Sequence, residues 1–235
     1  MTATAVRKHD GINWHAFAYV DKYSADQCAY ADRVISGKVT WYRRGLRRIG
    51  QQQRRGWGTE YQSALNRVLL RTGDPEDGRA EADGNLLVTS GLTSITALLI
   101  GAGGSGKLYA LTTSEAVCGV GSTTTSAVVG DTVLGANGSS PNGTTGAWYQ
   151  ASDASFPSVS AGVITMQSTF ASGNANMAWQ EWCWASGTGT ITAGDALASV
   201  YATGASFSMW NHKIASLGTK ASGAAWVFTT TITLS

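Results

Sequence analysis

Charge is scarce in this sequence. Only 14% of the 235 residues are Asp, Glu, Lys or Arg, against about a quarter in an ordinary soluble chain. Thr, Ser, Gly and Asn must cover most of the surface, which suits a secreted, cell-surface or particle protein better than a cytosolic enzyme. Long apolar runs are also missing. None reaches the roughly 18 residues that a membrane-spanning helix needs, so no membrane partner is expected. The opening Met-Thr-Ala-Thr-Ala-Val-Arg-Lys-His-Asp carries no apolar signal-peptide core. Synthesis in the cytoplasm, with retention or assembly there, is the expectation. The three cysteines, Cys28, Cys118 and Cys183, lie far apart and form no CxxC pair. They are expected as reduced, mostly buried thiols.

The usual marks of catalysis are equally thin. His9, His15 and His212 stand at no metal-ligand spacing such as H-E-x-x-H. No G-x-S-x-G elbow occurs. Gly101-Ala-Gly-Gly-Ser-Gly-Lys107 approaches a phosphate-binding loop. Leu108, however, replaces the hydroxyl residue, and the motif follows a helical segment where a strand is required. Neither metal nor cofactor is therefore expected. Among the carboxylates of the second part (Glu115, Asp131, Asp153, Glu181 and Asp195), Glu181 alone has an enzyme-like setting, between Trp179 and Trp182. A buried Glu beside Trp can serve as an acid, but a structural Glu at a sheet end is favoured. A glycan-degrading reading needs a second carboxylate near Glu181, with Asp153 and Asp195 the neighbours in sequence. A carbohydrate-binding reading would use Trp148, Trp182 or Trp184. Such tryptophans more often form core or interface.

What charge there is sits unevenly. Residues 1–84 hold fourteen Lys/Arg and ten Asp/Glu, whereas residues 85–235 hold three and five. A boundary near Gly84 follows, with 1–84 as a mixed, partly helical N-terminal arm. Between Asp32 and Glu60 no acid interrupts a basic stretch that includes Trp41, Arg43, Arg44, Arg47, Arg48, Arg54 and Arg55. This stretch is the expected partner-binding segment. Gly37, Gly45, Gly50, Gly56 and Gly58 break it up, so a protein surface is favoured over nucleic acid as its target. Thr59 and Gln62 form a capping box for a helix over 59–71, with Tyr61, Leu65, Val68 and Leu69 as its apolar stripe.

Residues 85–235 read as β-rich. A second helix is predicted near 90–100, with Leu92, Ile95, Leu98 and Leu99 on one side. Short β segments follow at 117–120, 128–134 and 148–151. Val163 to Ala171 alternates apolar and polar residues, and Met177 to Trp184 is apolar on both parities. Another strand carries Phe207 and Met209 and ends near Asn211-His212-Lys213. From Ala224 to Ser235, Trp226, Phe228, Ile232 and Leu234 share one parity, and Val227, Thr229, Thr231 and Thr233 the other. The fold class is α+β, mainly β: an antiparallel sandwich or barrel with the partly helical arm before it.

Several segments carry a resemblance. Asn85-Leu-Leu-Val-Thr-Ser-Gly-Leu, Gly119-Val-Gly-Ser-Thr-Thr, Ala154-Ser-Phe-Pro, Ile164-Thr-Met-Gln-Ser-Thr-Phe and Ala178-Trp-Gln-Glu-Trp occur in that order. Asn211-His-Lys-Ile-Ala-Ser-Leu-Gly-Thr-Lys and the closing strand follow. Together they resemble a family of structural proteins of tailed bacteriophages, over roughly residues 84–235. Cys183-Trp184 departs from the Gly-aliphatic pair usual in that family. The resemblance implies a virion component without catalytic residues. Two placements follow from it: a capsid decoration (cement) protein whose N-terminal region grips the major capsid protein, or a tail, neck or fibre protein touching the host surface. A homo-oligomer, trimer or dimer, is expected from the low charge and abundant tryptophan.

Overall fold

The computed structural model describes residues 14–46, 65, 67–69, 74–99, 111–139, 146–201 and 206–234. Two antiparallel sheets pack face to face. The first has the order β2 (Arg79–Asp83), β1 (Trp14–Tyr23), β11 (Ala225–Leu234), β7 (Val163–Phe170), β6 (Ser158–Ser160). The second runs β3 (Leu86–Leu87), β10 (Asn211–Thr219), β8 (Ala178–Gly187), β4 (Ala116–Gly121), β5 (Ala147–Ala151), with β9 (Phe207–Met209) beside β8. The helices are α1 (Ala25–Leu46), α2 (Thr89–Leu99) and the single turn α3 (Leu197–Val200).

The period-two pattern of the closing strand does what its residues require. Trp226, Phe228 and Ile232 enter the core between the sheets, against Ala16, Ala18 and Val20 of β1, Met166 and Phe170 of β7, and Trp182 and Trp184 of β8. Ala225 and Val227, on the other parity, meet α1. Thr230 lies on the apolar face, where its hydroxyl accepts the Trp184 indole N–H at 2.9 Å. Trp179 joins the same core although its parity is opposite. Opposite it, the pairing of β10 with β8 shifts register between Ile214 and Gly218, the kind of irregularity that re-aims a side chain.

The arm expected over 1–84 is not separate from the sandwich. β1 pairs with β11 over ten residues, Trp14↔Leu234 to Tyr23↔Ala225. β2 pairs with β1 from Phe17↔Asp83 to Asp21↔Arg79. Residues 24–78 are thus an excursion between two neighbouring strands. It packs back on the sheet through Cys28, Ala31 and Ile35 of α1, with Leu65 and Leu69, on Tyr23, Ala225 and Val227. The glycines at 37 and 45 do not break α1, which runs through both. Of the helix expected over 59–71, residues 65 and 67–69 are helical and the rest lies outside the described residues.

Two further expectations change. Residues 128–134 form no strand; they belong to a loop over the outer face of the second sheet. In α2 Leu92, the first residue of the apolar stripe, is not on the packed face, and the side chains of Leu98 and Leu99 lie outside the described residues. Leu92 is exposed, while Gly91 and Ser94 are buried. Ser90 Oγ donates to the Met209 carbonyl at 2.6 Å. A Cβ on Gly91 would collide with the Trp210 backbone. The helix lies so close to β9 that only small residues fit between them.

Candidate functional site

The second sheet is buried on both sides. Its outer face carries Val117, Tyr149, Cys183 and Ala185, covered by Leu134, Leu197, Val200 and Tyr201. Glu181 shares the parity of Cys183 and Ala185, so it points to this outer face. Its neighbours make room for it. Gly121 pairs with Glu181 and Gly119 with Cys183. A Cβ on Gly121 would strike the Glu181 carboxylate, and one on Gly119 would sit 2.5 Å from the Tyr149 ring. The two glycines of Gly119-Val-Gly thus clear the space in which Glu181 and Tyr149 lie.

Both side chains then hold the loop over residues 122–139. Glu181 is fully buried. Its Oε2 accepts the Gly135 N–H at 2.9 Å and its Oε1 the Ala136 N–H at 3.0 Å. The Tyr149 hydroxyl accepts the Leu134 N–H at 3.1 Å. His212, the second residue of β10, lies diagonal to Glu181 across the strand pair, and its Nε2 is 2.9 Å from Glu181 Oε2. Its Nδ1 is 2.7 Å from Asp131 Oδ2 in the loop. The same Asp131 oxygen accepts the Val128 N–H at 2.8 Å, closing the turn Val128–Asp131. Asp131, His212 and Glu181 therefore form one chain of contacts from loop tip to buried sheet.

The electrostatics follow from that geometry. Burial pulls the His212 imidazole toward its neutral form, but hydrogen bonds and charge from Glu181 and Asp131 outweigh it, and its pKa is raised. The imidazolium suits a ring held between two carboxylates. An acid–His–acid chain differs from a nucleophilic triad in one decisive respect: each ring nitrogen already faces a carboxylate, so none is left to take a proton from a hydroxyl. Around it, burial pushes the Cys183 thiol and the Tyr149 hydroxyl well up. The chemistry here fastens a loop.

The residues singled out in the sequence fall in different places. Trp182 and Trp184 are fully buried in the inter-sheet core, in contact with Phe228, and present no face to a sugar. Trp148 is half-buried against that core, its indole N–H donating to Gln150 Oε1 at 3.3 Å. Trp41, Arg43 and Arg44 lie on α1, with their side chains outside the described residues; Arg47, Arg48, Arg54 and Arg55 lie outside them altogether, as does the glycine-rich segment 101–107. Asp153 receives the Thr169 N–H and hydroxyl, at 3.1 and 2.8 Å. The carboxylate linked to Glu181 is instead Asp131, through His212. Among the described residues no group of three or more His, Cys, Asp and Glu side chains is arranged to hold a metal ion. No described helix is long and apolar enough to cross a membrane. The three cysteines are free and buried.

A second buried cation lies at the opposite end of β10. Lys220 is 1% exposed, and its ammonium donates to the Ala171 carbonyl at 2.9 Å and to Asn176 Oδ1 at 2.7 Å. Burial lowers its pKa to about 8. It ties the turn after β10 to the loop between β7 and β8.

Comparison of the chain with protein-family profiles, with curated proteins and with solved structures finds no match.

Proposed function

We propose that the chain is a non-enzymatic structural component of a tailed-bacteriophage virion. In this reading it is a capsid decoration protein, a dimer or trimer standing on the shell and holding the major capsid protein through its N-terminal region. The observation that carries the reading is where the resembling segments fall. Asn85–Leu92, Gly119–Thr124, Ile164–Phe170, Ala178–Trp182 and the stretch from Asn211 fall on β3, β4, β7, β8, β10 and β11: β11 beside β7 in one sheet, and the run β3, β10, β8, β4 in the other. The ionisable groups beside them hold loops in place. A charge-poor sandwich with strapped loops suits a protein whose work is to persist and to touch neighbours.

The topology refines how such a protein would grip a shell. The basic stretch from Arg43 to Arg55 belongs to the excursion 24–78, which leaves the sandwich at Tyr23 and returns at Arg79. An anchor tethered at both ends loses less freedom on docking than a free arm, which favours binding. Contacts made only in the assembled particle would raise shell stability by mass action.

Immunogold electron microscopy of purified particles, with an antibody against residues 85–235, tests the reading. Label over the whole head supports decoration. Label confined to the tail or neck replaces decoration with a tail, neck or fibre role. Particles without label, in a preparation where the antibody detects the free chain, overturn the virion reading.

A further inference from the structure

We infer that Asp131 and His212 form a proton-operated latch, which fixes the Asp131 side chain and the Val128 N–H bound to it when the ring is charged and frees them when the ring loses its proton. This inference does not depend on the proposed function. It starts from a count of donors. A charged imidazole donates two hydrogen bonds and a neutral one donates one. His212 stands between two carboxylates, 2.7 Å from Asp131 and 2.9 Å from Glu181, so a neutral ring leaves one carboxylate without its donor.

The surroundings decide which carboxylate that is. Glu181 is fully buried, and its loss of the ring would leave a charge in the interior. It also retains the Gly135 and Ala136 N–H groups whatever the ring does. The Asp131 side chain is 23% exposed, so water can replace the ring there at little cost. The remaining ring proton therefore stays on Nε2, facing Glu181, and Asp131 lets go. Val128 N–H, bound to the same Asp131 oxygen, loses its fixed acceptor. Val128 and Val129, both largely exposed, form the apolar end of that turn. The latch thus sets whether the turn is held at Asp131 as well as at Val129, whose carbonyl keeps the Thr89 N–H and hydroxyl at 2.8 and 2.9 Å. The loop's other fastenings, the Val129 carbonyl on the Thr89 N–H and hydroxyl, Leu134 on Tyr149 and Leu197 on Asn137, involve no group that changes charge in the same range, since burial keeps Tyr149 protonated.

The ionisable groups facing His212 are Glu181 from β8 and Asp131 from the loop, with Cys183 and Tyr149 behind Glu181 held neutral by burial. Lys220, with its pKa of about 8, also titrates in the working range, and the test must separate it.

The test is nuclear magnetic resonance of the full chain from pH 6 to 10, following the His212 ring nitrogens and the amides of Val128, Gly135 and Ala136. The expected result is one shared midpoint for the ring and the Val128 amide. Protection of Val128 against hydrogen exchange, corrected for the intrinsic rate, should fall at least tenfold across it, while Gly135 and Ala136 hold theirs. Asp131→Asn is the companion variant. An amide side chain can accept from or donate to either form of the ring, so Val128 should no longer respond to pH, while any response caused by Lys220 persists. A Val128 amide indifferent to the ring in the parent chain, or an unchanged Val128 response in Asp131→Asn, overturns the latch. Equal loss at Gly135 and Ala136 also overturns it, because Glu181 would then be the side that releases.

Discussion

Trp182 and Trp184 offer a controlled comparison of what one hydrogen bond adds in this core. Both are fully buried and both touch Phe228. The Trp184 indole N–H has the Thr230 hydroxyl, whereas the Trp182 N–H has no partner among the described residues. Replacement by Phe removes similar volume at each site. Trp184→Phe should therefore cost about 1 kcal/mol more than Trp182→Phe, the usual net worth of a hydrogen bond, as read by urea denaturation. Equal losses would mean that Thr230 contributes nothing. Lys220 gives a second expectation. Its pKa is lowered to about 8 from 10.5, so the folded state disfavours its charged form. The resulting penalty is complete below pH 8 and is relieved as pH rises from 8 toward 10.5. Carbon-13 labelling of the lysine side chains should show one resonance titrating near 8, apart from the others. A Lys220 resonance titrating with the rest would contradict the burial of its ammonium.

At the scale of elements, the strands with clear alternation or a doubly apolar run were legible, whereas β1, β2, most of β10 and the loops were not. Alternation along β7 and β11 states which side chains face the core, because the pleat imposes a period of two. The double-sided apolar character of β8 announced a strand buried on both faces. The residues 128–134, rich in Val, had strand composition but serve as a strap; their partners are Thr89, Tyr149 and His212. None of these is close in sequence, and composition carries no record of them. For the same reason the link of Asp131 to His212, 81 residues apart, was invisible, although Glu181 itself stood out between its tryptophans. α2 misled in the opposite way: Leu92 suggested the packed face and is exposed, whereas Gly91 and Ser94 are buried. β4 now offers a direct test. Gly121→Ala would set a methyl group against the Glu181 carboxylate, displacing it from Gly135 and Ala136. Loss of about 2–3 kcal/mol is expected, in the range for overpacking and for disrupted buried hydrogen bonds. Gly130→Ala, where a Cβ meets nothing within 4 Å, should cost far less. Equal effects of the two would show that β4 tolerates a side chain at 121.

At the scale of the whole molecule, the charge boundary near Gly84 is not a structural boundary. β11 lies between β1 and β7, so removing residues 1–84 would strip two strands and bare a long central edge that is prone to pair with other chains. A fragment 85–235 should aggregate, and deletion of 224–235 should do the same by removing the strand that joins both sides of the sheet. A soluble, monodisperse 85–235 with native tryptophan fluorescence would contradict the pairing of β1 with β11. The same topology fixes the meaning of the basic stretch: it is carried between two strands of a rigid body. The proposed virion role is open to a direct test in the protein inventory of purified phage particles. Quantitative mass spectrometry should find the chain at a fixed ratio to the major capsid protein, unchanged through repeated gradient purification. A chain that is expressed in the infected cell yet absent from the purified particles would contradict the claim.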